Sequence, residues 1–376
     1  MPQHPLEVEE LLRYCLTFVA PYRSDLLACA LVARSWTDPA QSHLFRAPYL
    51  ANLEARKPHH VLSKFHAALS SNPRLLDHVR RLTFAVEDWF YMDRALEPAT
   101  VEQICNLAFA RLESLCIRTY KTVLNSFSTL LTLPTLRRLE LSSANPDALA
   151  ALMPGPSIQH LDLYCFDNAV EFAFPNSVPM ADITLISLRL DLWGSPYSLP
   201  GFHPSDVAPF NLTQLKALSF RITPSFSVGA VIKDMQCNNI EVLELDFLGD
   251  YDGDSFDLGL FPNLRILRIN SWGNASTTLV STLASAVTLP NLYTLVVGLA
   301  IENADWMSIG KLDPILTLFP SLAVVKVEPT RAGDVDKVGE LLPSLTSKGL
   351  LQIIPTHGIS FFERRNLWWQ ETVDML

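Results

Sequence analysis

Four stretches of the chain superimpose without gaps: TLPTLRRLEL (Thr132 to Leu141), LFPNLRILRI (Leu260 to Ile269), TLPNLYTLVV (Thr288 to Val297) and LFPSLAVVKV (Leu318 to Val327). Each reads apolar–Pro–x–Leu–x–x–Leu–x–apolar, with Val325 in place of the second Leu in the last copy. Looser LxxLxL copies start at Val79, Leu112, Ile158, Leu185, Leu215 and Ile240, and LLPSL from Leu341 leads into GLLQII. Successive copies lie roughly 22 to 33 residues apart, the length of one strand-and-return unit in a stacked-repeat architecture.

The pattern has a physical reading. The last two leucines of LxxLxL are two residues apart, so they share one face of a strand and the residues between them face the other side. Between the strands lie segments with helical spacing, such as Val335, Val338, Leu341 and Leu342. The Pro of LPxL lacks a backbone donor and is expected to end the preceding helix. Strand, helix and strand at this period predict an α/β fold: a curved parallel sheet with helices on its convex side. A chain of 376 residues, 49% of them hydrophobic, can bury such a core.

Residues Leu75 to Pro355 resemble the leucine-rich repeat family. The ladder Asn of that family is missing, because its position holds Ala144, Phe166, Trp193, Thr223, Leu248, Trp272, Ala300 and Thr330. The expected organisation is a helical module at 1–50, a linker and helix at 51–74, the solenoid at 75–355 and a cap or tail at 356–376.

The opening module lacks the repeat. Leu11, Leu12, Cys15, Leu16 and Val19 recur at helical spacing up to Pro21. Ser24 reads as the cap of a second helix with Leu26, Leu27, Ala30, Leu31, Val32 and Trp36. Asp38-Pro39 reads as the cap and first residue of a third helix, carrying Leu44 and Phe45. So short a unit cannot hide all of these side chains internally. Each large apolar one left wet forfeits roughly 1.5–3 kcal/mol. Pro5-Leu6-Glu7, DLLACALVARSW and AQSHLFR resemble an F-box, particularly the fungal kind that precedes leucine-rich repeats. The resemblance implies docking to a Skp-type adaptor, and through it to a cullin, by Pro5, Leu6, Leu11, Leu12, Leu26, Leu27, Val32 and Trp36. The repeats would then hold an unknown protein substrate. On this view the chain is the substrate receptor of an SCF-type ubiquitin ligase and is not itself an enzyme. The alternative is a repeat scaffold whose first helices only cap the solenoid.

Residues flanking the strand leucines are expected on the concave face. Candidate substrate contacts there are Tyr164, Arg189, Asp191, Arg221, Asp246, Arg268 and Asn270, with Trp193 and Trp272 just past their strands. Glu140, Asp162, Glu244, Lys326 and Glu328 belong to the same row. The segment SFFERRNLWWQETVDML is expected to fold over the end of the apolar core, or else to bind a partner.

Other chemistries find little support. A net charge of −10 argues against nucleic-acid binding. The six cysteines form no CxxC pair and suggest the cytosol or nucleus. No basic-then-apolar leader opens the chain. The uncharged run Ser271 to Ile301 is broken by Pro290-Asn291, so a helix, turn and strand is expected in place of a membrane span. Asp250-Tyr251-Asp252-Gly253-Asp254 departs from a calcium loop, with Ser255 and Phe261 where Gly and Glu belong. No nucleotide, zinc-protease or serine-hydrolase motif is present, and no cofactor or metal is expected.

Overall fold

The leucine pairs become strands, and the strands pair in chain order. The computed structural model describes residues 9–19, 23–51, 59–85, 96–118, 124–142, 157–165, 183–192, 210–222, 238–247, 256–272, 276–285, 289–300, 306–355 and 360–376. They fall in two units, Met1–Ile158 and Gln159–Leu376. Every strand pairing among the described residues is parallel, so the architecture is α/β with crossover segments between strands.

In the first unit, helices α1 (Glu9–Val19), α2 (Arg23–Val32) and α3 (Arg34–Leu44) precede β1 (Tyr49–Ala51), α4 (His59–Ser71), β2 (Arg81–Ala85), α5 (Pro98–Cys105), β3 (Ser114–Arg118) and β4 (Arg138–Ser142). The strands pair in the order β1-β2-β3-β4. As the apolar spacing predicts, α4 buries Leu62, Phe65 and Leu69. Strand β1 is not legible from periodicity, because three residues are too few to show alternation. Its register with β2 pairs Leu50 with Phe84, and both side chains are buried.

The helical module departs from expectation at one joint. The second helix stops at Val32, and the third begins at Arg34, five residues before Pro39. Ala33 is extended (φ −154°, ψ 157°), which breaks the helix and moves Trp36 into α3. Thr37 Oγ1 donates to the carbonyl of Ala30 at 3.1 Å and bridges the break. Pro39 sits inside α3, where its missing donor loses a single backbone bond while its ring is buried beside Ala40 and Leu44. Asp38 is no cap; it pairs with Arg13 and His78, each at 3.2 Å.

In the second unit β5 (His160–Cys165), β7 (Ser187–Leu192), β9 (Ala217–Ile222), β10 (Val242–Phe247), β11 (Ile266–Trp272), β12 (Thr294–Ala300), β13 (Val324–Pro329) and β14 (Leu351–Ile353) follow one another in one sheet. The two-residue strands β6 (Ile183–Thr184) and β8 (Phe210–Asn211) form a separate pair. Equivalent positions meet across the sheet: Leu161, Leu188, Leu218, Leu243, Leu267, Leu295 and Val325 make one continuous buried row. A one-residue slip would turn this entire row to the other face, so burial specifies the register.

The uncharged run resolves into the end of β11, a helix at Ser276–Ser285 and strand β12. Among the described residues no helix is long and apolar enough to cross a membrane. One Pro behaves unlike its repeat partners. Pro343 follows directly on the end of the helix Val335–Leu341 and also opens the next one, Pro343–Ser347. That helix takes its cap from a distance: Asp313 accepts the backbone N–H groups of Ser344 at 3.1 Å and Leu345 at 3.0 Å.

Side chains tie successive repeats together where the strands begin. The residue just before the repeat leucine reaches a carbonyl of the preceding repeat: Asn239 to Thr213 (2.9 Å), Asn263 to Asn238 (2.9 Å), Asn291 to Pro262 (3.2 Å) and Ser321 to Pro290 (2.5 Å). This accounts for the Asn or Ser that follows Pro in three of the four best copies.

Candidate functional site

The module's own core comes first. Leu12, Leu16, Leu26, Ala40 and Leu44 are buried together, with Val19, Cys29, Ala30, Trp36 and Phe45 packed against them. Leu12 and Leu26, expected to face an adaptor, therefore point inward and build the module; Trp36 is half-buried against the same cluster. The surplus lies elsewhere. On α1, Leu11, Tyr14 and Phe18 are exposed at spacings of three and four, and the last two rings meet edge-on at 5.2 Å. On α2, Leu27 is 51% exposed, Leu31 88% and Val32 65%. Pro5 and Leu6 lie outside the described residues. Tyr14, Phe18 and Leu31 join the set; their helical spacing was visible in the sequence.

The second candidate is the sheet face turned away from the leucine row. Asp162, Arg189, Glu244 and Arg268 lie along one line of it, and Arg221, Asp246 and Asn270 along the next. The expectation that this face is an open substrate surface is not met. Arg189, Asp191, Arg221, Asp246, Arg268 and Asn270 are all buried, and Tyr164 and Trp272 are half-buried. Trp193 and the acidic stretch 250–254 lie outside the described residues.

The cover is the chain's own closing helix, Phe361–Val373. Ser360 and Glu363 start it with a reciprocal capping box, the Ser hydroxyl accepting from the Glu363 N–H and the Glu carboxylate from the Ser360 N–H. Arg365 is the centre of the contact. Its Nε donates to Glu244 at 2.9 Å and its Nη1 to Asp191 at 2.9 Å, and Nη1 also lies 3.0 Å from Asp246. Arg221 ties Asp191 and Asp246 together from the sheet side, each at 2.7 Å. Arg268 reaches Glu328 at 2.7 Å, which also meets Arg364 at 3.1 Å. Trp369 donates its indole N–H to Asp162 at 3.1 Å and packs with Val373 against Ala217 and Val242. The tail is therefore not a plug over the end of the apolar core. Its polar and aromatic side chains match a face on which the strands placed charges.

Gly298 allows the approach. A Cβ there would lie 2.9 Å from Cζ of Phe361 and closer still to the Asn270 side-chain oxygen. Phe361 in turn meets Trp272 edge-on at 4.7 Å, while Trp272 donates to Asp246 at 2.6 Å.

The electrostatics follow from this crowding. Burial alone would raise the Glu244 carboxyl, but Arg365, Arg189 and Arg268 and the Ser219 hydroxyl pull it down to about 2. Burial likewise opposes the charge on Arg365, yet Asp246, Glu244 and Asp191 hold it well above the ordinary arginine value. Glu244 and Arg365 thus keep their charges in a dry setting through their partners. Among the described residues no cluster of three or more His, Cys, Asp or Glu could hold a metal ion. Compared with known proteins, the chain matches no family model and no curated sequence.

Proposed function

We propose that this chain is the substrate receptor of an SCF-type ubiquitin ligase, with an F-box-like module at its start and leucine-rich repeats behind it. The observation that carries the reading is the pairing of a closed core with an open apolar face. Leu12, Leu16, Leu26, Ala40 and Leu44 already complete the module's interior, yet Leu11, Tyr14, Phe18, Leu27, Leu31 and Val32 stand in water. Apolar side chains grouped this way on a small helical unit mark a surface for another protein. A Skp-type adaptor would cover them, and the parallel repeat unit would present the target to the charged ubiquitin-conjugating partner. The chain would catalyse nothing; it would raise local concentration.

A second reading is a repeat scaffold capped by its helices. It draws support from the backbone link between module and sheet: the N–H groups of Arg80 and Arg81 both donate to the Arg46 carbonyl, and β1 adds an edge strand to β2. A pull-down with purified Skp-type adaptor separates the two. Wild type should be retained, and the double variant Leu27→Asp, Val32→Asp should be lost while keeping its helical signal. Equal retention of both proteins would remove the docking model.

A further inference from the structure

We infer that the charged sheet face of the second unit is a receptor for an arginine-bearing amphipathic helix of a partner protein, and that the closing helix occupies it as an internal competitor. The inference names a class of target for the receptor proposed above. Its test uses no adaptor, so the two readings fail separately.

Charge comes first. The sheet contributes five carboxylates, Asp162, Asp191, Glu244, Asp246 and Glu328, but only three buried arginines, Arg189, Arg221 and Arg268, with Lys326 half-buried on the same face. Further cations come from the closing helix: Arg364 pairs with Glu328, and Arg365 with Asp191 and Glu244. Any occupant of this face must therefore bring cations at matching positions. The spacing of the anchors is helical: Arg365 and Trp369 are four residues apart and fall on one side of the helix.

The chemistry of the contact favours exchange over permanence. A buried ion network is no more stabilising than apolar packing of the same volume, but it is far more selective, because a mismatched occupant leaves a bare charge. An inert cover could have been made of leucines. The fit is also incomplete. Nε and Nη2 of Arg189 and Nη1 of Arg268 are buried without a hydrogen-bond acceptor. Arg189 keeps only a longer ion pair with Glu244, its Nη2 3.7 Å from the carboxylate, and faces the rings of Tyr164 and Trp369 at 5.5 and 5.8 Å. A partner helix with an Arg in the place of Arg365, an aromatic residue four positions later, and a carboxylate or amide oxygen within reach of Arg189 or Arg268 would fill the face more completely. It would displace the closing helix by mass action, since two helices cannot share one set of carboxylates.

The probe is a fluorescent peptide of residues 360–373, SFFERRNLWWQETV, titrated against the full chain and followed by anisotropy. The wild-type chain, already occupied, should capture it weakly. The Arg365→Ala chain should capture it about a hundredfold more tightly, because its own helix has lost the anchor. The same peptide carrying Arg365→Ala should lose that gain. Trp369→Phe keeps every buried charge of the helix in place and removes one hydrogen bond, so this chain should bind the probe about tenfold more tightly than wild type. It decides the matter if the Arg365 variant does not fold. Natively folded variants that capture the probe no better than wild type, or that capture the probe and its alanine form alike, would overturn the inference.

Discussion

Replacing Glu244 by Gln keeps the shape of the side chain and deletes one buried negative charge. In the folded chain that carboxylate accepts from Arg365 Nε at 2.9 Å and from Asn270 at 3.2 Å, and it also receives the Ser219 hydroxyl. These partners pull its pKa from 4.5 to about 2. At 1.36 kcal/mol per unit, the depression is worth about 3 kcal/mol of stability held by the charged form. The sign follows from the direction. A carboxyl whose folded value is depressed contributes fully above its unfolded value, and the contribution fades as pH falls from about 4.5 towards 2. Urea denaturation should therefore find Glu244→Gln less stable than wild type by about 3 kcal/mol at pH 7. The two stability curves should converge as the pH approaches about 2, where the wild-type group also loses its charge. A variant within about 0.5 kcal/mol of wild type at pH 7, or a gap that stays constant through the acid range, would refute the reasoning.

Gly298→Ala inserts a methyl group against Phe361 and Asn270 and should destabilise the seating of the closing helix by about 1–3 kcal/mol. Faster amide hydrogen exchange over residues 361–373 than in wild type would register it. Asp313→Ala removes the acceptor for two backbone N–H groups of the helix Pro343–Ser347 and should cost about 1–2 kcal/mol in a thermal or urea melt. Cysteine labelling of the native protein should modify exposed Cys15 and spare Cys105 and Cys116. Burial raises the Cys105 thiol to about 12 and the Cys116 thiol well above its ordinary value, and mass spectrometry reads the pattern directly.

The repeat strands and their parallel pairing were legible in the sequence, while the short β1, β6 and β8 were not. The reason is local: leucines two residues apart must share a face, and the same spacing recurs from Leu161 to Val325. The helices of the module were legible too, except that Ser24, expected as a cap, lies inside α2, and that one extended residue, Ala33, moved the joint by five positions. Periodicity even assigned the charged residues correctly to the face opposite the leucines.

What covers that face was decided only by tertiary structure. Arg365 meets Glu244 across 121 residues and Asp191 across 174, and Trp369 meets Asp162 across 207. No periodicity within a segment encodes such a pairing. Alternation tells which side of a strand a residue takes, and amphipathic spacing tells which side of a helix; whether two polar sides then meet each other or meet water depends on where the chain returns. For the same reason Leu27 and Val32, apolar in a short helix, could have been core or surface until the folded module placed Leu12 and Leu26 inside and left these two out.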